Sequence, residues 1–116
     1  FARDQVESDL ERSLSAIEDC TGVRPKFYRP PYGRLHPAHR DLPAAHGCAL
    51  VLWNALPGDF DQQVTVDELR RRIEIIREGD IVVLHDHAHA LDRTTACISF
   101  IGDLLRRTGI RAVSLS

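Results

Sequence analysis

The chain has 116 residues, the size of one ordinary domain or part of one, so one core and not two independent ones is expected. Its 43% hydrophobic and 28% charged residues suit a globular chain, and no apolar run approaches the roughly 20 residues that cross a bilayer. A formal net charge of -2 gives no general attraction to nucleic acid or anionic lipid, and the run Arg70-Arg71-Arg72 reads as a solvated helix face. The chain opens on Phe1 and contains no methionine, from which we expect an upstream portion. Three cysteines, Cys20, Cys48 and Cys97, stand far apart in apolar surroundings and read as buried thiols.

In chain order, Val6, Leu10, Leu14, Ile17 and Cys20 recur at three- and four-residue steps, which predicts an amphipathic helix over residues 4–21 closed by Gly22. A short apolar piece follows at residues 27–28, then Arg29-Pro30-Pro31-Tyr32-Gly33. The two prolines end regular structure and stiffen the chain behind Arg29, while the N–H groups of Tyr32 and Gly33 are expected to stay available for another partner. Taken alone, this is a tight surface turn. Residues 36–46 read as a helix, with Pro37 suited to a first helical position and Pro43 expected to interrupt. The continuous apolar run at residues 48–53 predicts a strand buried on both faces, as in parallel sheets.

Thr65 and Glu68 form a capping-box pattern ahead of a helix bearing Leu69, Ile73 and Ile76 and closed by Gly79. A strand is expected at residues 81–84, a helix at 95–107 with Cys97, Ile98, Ile101, Leu104 and Leu105 on one side, and a last strand at 110–115. Helix and strand alternate four times, which predicts an α/β fold with parallel strands.

In such folds chemistry collects at the carboxyl ends of strands. Arg29 follows the first expected strand, Asn54, Asp59 and Asp61 the second, and His85, Asp86, His87 and His89 the third. A histidine leaving an apolar strand beside a carboxylate is placed as a general acid, although a lone strand-end histidine is more often structural. Arg29 and Asp59 at the same expected rim favour the catalytic reading. His85, His87 and His89 alternate and in an extended strand would face one side as metal ligands, but the strand pattern ends near His85. His87 and His89 therefore read as exposed loop residues.

These residues carry a resemblance. The chain is similar to the carboxyl-terminal part of a polysaccharide deacetylase domain, the NodB homology domain or carbohydrate esterase family 4. Arg29-Pro30-Pro31-Tyr32 resembles the family's R-x-P-Y motif, Asp59-Phe60 its aspartate-aromatic element with phenylalanine for tryptophan, and Val83-Leu84-His85 its L-x-H strand with valine for leucine. The resemblance implies roughly half of a distorted (β/α) barrel. It implies metal-dependent hydrolysis of N-acetyl or O-acetyl groups on a polysaccharide or peptidoglycan. By the same resemblance Arg29 pairs with a catalytic aspartate, the Tyr32 main-chain N–H binds the oxyanion, and His85 is the general acid. Asp59 orients His85, and Phe60 and Trp53 serve the substrate.

Two family motifs, T-F-D-D-G and H-S/T-x-x-H, supply the catalytic base and the ligands of a divalent metal, zinc foremost, and neither stands ahead of Arg29 in this sequence. The resemblance therefore implies an intact enzyme of which this chain holds the acid half, and a chain that is inactive and self-associating when isolated. A degenerate half-domain that binds glycan or a partner without catalysis is the alternative. A histidine-rich metal-binding module comes third.

Overall fold

The computed structural model describes residues 2–116, which divide into two compact units, one reaching to Leu52 and the other Trp53–Ser116. In the first unit, helix α1 spans Arg3–Thr21 and ends at Gly22, whose left-handed φ of 73° lets its N–H close on the Glu18 carbonyl. Leu10 and Leu14 are buried with Leu42 and Cys48, and Val6 and Tyr28 pack on them. Strand β1, Phe27–Tyr28, runs parallel to β2, Ala49–Leu50, with Phe27 opposite Ala49 and Tyr28 opposite Leu50.

The expected helix over 36–46 is two pieces, a 3₁₀ turn at Pro37–His39 and the single-turn helix α2, Leu42–Ala45. Each piece begins with a proline in its first turn, where a missing N–H costs nothing, so Pro43 starts a helix instead of kinking one. Two further expectations are corrected in this unit. The run at 48–53 is not buried on both faces: Cys48 is buried, but Leu50 and Leu52 are exposed. A doubly buried strand needs a layer on each side, and among the described residues β2 pairs only with β1. Cys20 is exposed, because it lies past the buried stripe of α1.

In the second unit, helix α3, Val66–Glu74, packs on helix α4, Leu91–Thr108, through Leu69, Ile73, Cys97 and Leu104. Thr65 caps α3 by accepting from the Glu68 N–H at 3.2 Å. The reciprocal half of the capping box is replaced, since the Glu68 carboxylate turns to Arg71 and Arg72 at 2.6 and 2.9 Å. The arginine run is thus an engaged face: Arg72 also donates to the Pro57 carbonyl, and Arg70 lies 4.3 Å from the Phe100 ring centre. Ile98, expected in the core, is 59% exposed.

Residues 54–55 and 81–83 run parallel to each other, bridged at Ala55 and Val82, with the Val83 N–H donating to the Ala55 carbonyl. Asn54 fastens the pairing, accepting from the Ile81 N–H and donating to Asp80. The strand expected at 110–115 is absent among the described residues; that stretch has no regular structure and no ladder partner, and Val113 is exposed. Strand propensity alone does not order a segment whose N–H and C=O groups have no neighbouring strand. The fold class is α/β with parallel pairings, as the alternation of elements predicts.

Candidate active site

Asp59 lies just beyond the 54–55 segment, on the loop that Pro57 and Gly58 bend, and His85 just beyond the 81–83 segment that pairs with it. Parallel pairing puts both residues at the same, carboxyl, end of the two segments. Asp59 is fully buried. Its Oδ1 stands 2.9 Å from His85 Nδ1, and its Oδ2 accepts from the His85 main-chain N–H at 2.7 Å and from the Thr94 hydroxyl at 2.8 Å. A carboxylate can only accept, so Nδ1 carries the proton in this pair.

Burial pushes the Asp59 carboxyl up, but the bonds from the His85 ring, the His85 N–H and the Thr94 hydroxyl outweigh it and hold the carboxyl below its ordinary 3.8. Asp59 is therefore a fixed negative charge beneath the imidazole. The His85 side chain is 37% exposed, and with Nδ1 committed, Nε2 is the nitrogen that can serve a ligand. Phe60 lies against the ring at 4.7 Å between centroids, tilted by 59°, and limits its rotation. An imidazole so held can deliver a proton through Nε2.

Around this pair, Arg93 donates from Nε to the Asp59 carbonyl at 3.2 Å and from a terminal nitrogen to the Val64 carbonyl. Burial raises the Cys97 thiol, with the Asp59 charge adding to the effect, so this cysteine is an inert part of the core. Sequence reading missed Arg93 and Thr94. Both sit in the first turn of an amphipathic helix, where a polar residue looks like surface.

In the first unit, the Arg29-Pro30-Pro31-Tyr32 stretch forms a 3₁₀ turn at Pro31–Gly33. Tyr32 has φ 56°, the single non-glycine positive φ among the described residues, in a region costing an L-residue roughly 1–2 kcal/mol. Backbone held at such a value over-determined by two prolines marks a place where the peptide has been aimed. The Tyr32 N–H lies at the open start of the turn, where no partner exists within the turn itself. The expectation for Gly33 is corrected: its N–H donates to the Pro30 carbonyl at 3.0 Å and is spent on the turn. The Tyr32 side chain is 92% exposed. Arg29 donates to the Leu52 carbonyl at 3.4 Å.

The structure thus brings Asp59, Phe60 and His85 together in the second unit, where Trp53 is half-buried, while Arg29 and Tyr32 share one turn in the first. Asp61 has a local role, accepting from the Gln63 N–H. His87 and His89 are exposed, with His87 Nδ1 accepting from the His89 N–H to cap a 3₁₀ turn. Among the described residues no three His, Cys, Asp or Glu side chains are grouped to hold a metal ion.

Comparison with known proteins bears on this arrangement. The family model described as "Polysaccharide deacetylase" matches residues 1–51. A bifunctional xylanase/xylan deacetylase from Cellvibrio japonicus is 26% identical over 106 residues, covering 91% of this chain and 16% of the relative. A peptidoglycan-N-acetylglucosamine deacetylase from Bacillus cereus is 26% identical over 115 residues, covering 97% of this chain and 54% of the relative. Among solved structures, a family 4 carbohydrate esterase from Streptomyces lividans in complex with acetate superposes with a TM-score of 0.85 at 26% identity, over 100% of this chain and 58% of that one. The chain therefore spans between 16% and 58% of the length of these proteins, and its α/β fold is the one expected of part of a (β/α) barrel. Motifs, relatives and superposition agree in what they resemble: the chain is similar to polysaccharide deacetylases in sequence and shares the fold of a family 4 carbohydrate esterase.

Proposed function

We propose that this chain supplies the general-acid half of a carbohydrate deacetylase, which hydrolyses N-acetyl or O-acetyl groups on a polymer such as peptidoglycan, chitin or xylan. The observation that carries this is the buried Asp59 carboxylate on His85 Nδ1, which leaves Nε2 to act. Water adds to the acetyl carbonyl to give a tetrahedral oxyanion. His85 Nε2–H then protonates the leaving nitrogen as the C–N bond breaks, releasing the amine and acetate. Tyr32 offers its main-chain N–H to the oxyanion, in a turn that costs no reorganisation during reaction. Arg29 orients the carboxylate that serves as base, and Phe60 and Trp53 contact the sugar.

A divalent metal, zinc foremost, would polarise the acetyl carbonyl and activate the water. Among the described residues no three such side chains are grouped to form its site, and we place its ligands outside these residues. On that reading the 116 residues alone release no acetate.

The test is acetate release by the protein that carries this chain, from acetylated chitooligosaccharide, peptidoglycan and xylan. His85→Ala is expected to lower kcat by about 10²–10⁴-fold with little change in KM. An unchanged kcat would remove His85 from the chemistry. Glycan binding without any acetate release would favour the non-catalytic half-domain.

A further inference from the structure

We propose that Thr94 is a positioning residue of the reaction: its hydroxyl, inserted between the Asp59 carboxylate and the His85 main-chain carbonyl, sets how the carboxylate holds the imidazole. This rests on the reading of His85 as the general acid. Thr94 Oγ1 lies 2.8 Å from Asp59 Oδ2 and 2.7 Å from the His85 carbonyl oxygen. Both neighbours are acceptors, and a hydroxyl has one proton to give. The charged oxygen takes the stronger bond, so the proton points to Asp59 for most of the time.

The two oxygens of Asp59 then have separate duties. Oδ2 is saturated by Thr94 and by the His85 N–H, which leaves Oδ1 to face Nδ1. Because Thr94 also reaches the His85 main chain, one side chain on α4 ties together the acid, its carboxylate and the backbone that carries the acid. Arg93, its neighbour, fixes the Asp59 carbonyl and the Val64 carbonyl, so the first turn of α4 clamps the Asp59 loop from two directions. The charged and titratable groups facing Asp59 are His85, Arg93 and Cys97, and none can replace the lost hydroxyl in place.

Removing the hydroxyl without changing shape has a defined consequence. Asp59 keeps its burial but loses one of its donors, so its negative charge is less dispersed and pulls harder on the Nδ1 proton. The imidazolium is stabilised and becomes a weaker acid. Thr94→Val is therefore expected to lower kcat about tenfold, the size of one hydrogen bond to a charged group, while KM changes little. The basic limb of the kcat–pH profile moves upward. Thr94→Ser, which keeps the hydroxyl, restores both.

The experiment measures kcat, KM and pH profiles for these variants of the protein that carries this chain, together with the proton NMR signal of the His85 Nδ1–H. A shifted or lost signal in Thr94→Val, retained in Thr94→Ser, is the expected result. Should the valine variant not fold, Thr94→Ala gives the same comparison. Wild-type kcat, profile and Nδ1–H signal in Thr94→Val would overturn the proposal, as would equal losses in the valine and serine variants. An altered signal in Thr94→Val, with His85→Ala fully active, would keep the positioning and reject only the acid role.

Discussion

Asp59 shows how much a single residue's environment decides. An exposed aspartate beside a histidine would titrate as an ordinary carboxyl; here burial and three donors act together, and the donors prevail. The sign for stability follows: a carboxyl held low in the folded state contributes above its unfolded pKa, and the contribution is lost as pH falls through the folded value. Asp59→Asn is thus expected to reduce acid sensitivity in a pH-dependent melt while lowering kcat, since an amide can present its N–H to Nδ1. Tyr32 poses a separate question, whether its side chain or its main chain works. Tyr32→Gly keeps the N–H and relieves the positive φ, so kcat should change only a few-fold. A loss as large as that of an oxyanion donor, about 10²–10³-fold, would assign the work to the side chain. At this scale Arg29, Asp59 and His85 were legible as polar residues at strand ends. Thr94 was not, because its role depends on a carboxylate 35 positions away.

At the scale of elements, the helices were the most legible parts, and their joints are polar. His46, at the end of α2, reaches Glu11 with Nδ1 at 2.8 Å and Glu7 with Nε2 at 3.1 Å, both on α1. Two carboxylates on opposite nitrogens require the charged imidazolium, and the bonds it donates to Glu7 and then Glu11 hold its pKa above 6.5. A raised folded pKa stabilises below the unfolded value, and that stability is lost as pH rises through the folded one. His46→Gln should therefore lower the melting temperature at pH 6 and matter little at pH 9; equal losses at both would mean that the contact is mere packing. Arg3 and Asp41 tie the same elements with the opposite sign. The Arg3 guanidinium holds Asp41 at about 2, down from 3.8, so this contact weakens as pH falls through that range. The strands were less legible. The apolar pattern at 48–53 and 110–115 states a capacity to pair, and whether pairing occurs depends on which strands lie alongside.

For the whole molecule, the single core expected from the length is corrected: each unit has its own small one, Leu10, Leu14, Leu42 and Cys48 in the first and Leu69, Ile73, Cys97 and Leu104 in the second. Phe27, Leu50 and Leu52 are exposed in the first unit, and Phe60, Ile98 and Val113 in the second. With strands of only two residues, the isolated 116-residue chain has much apolar surface and little ladder to hold it. It is expected to self-associate, with light scattering showing mass that grows with concentration. A monodisperse monomer with amides strongly protected from exchange would contradict that.

Whether His85 protonates the leaving group is decided by comparing two substrates. In the protein that carries this chain, wild type and His85→Ala are measured on an N-acetyl sugar, whose nitrogen must be protonated to depart, and on an activated aryl acetate, whose phenolate leaves unaided. A general acid at His85 gives a loss of about 10²–10⁴-fold on the amide and of no more than a few-fold on the ester. Equal losses on both substrates would contradict it.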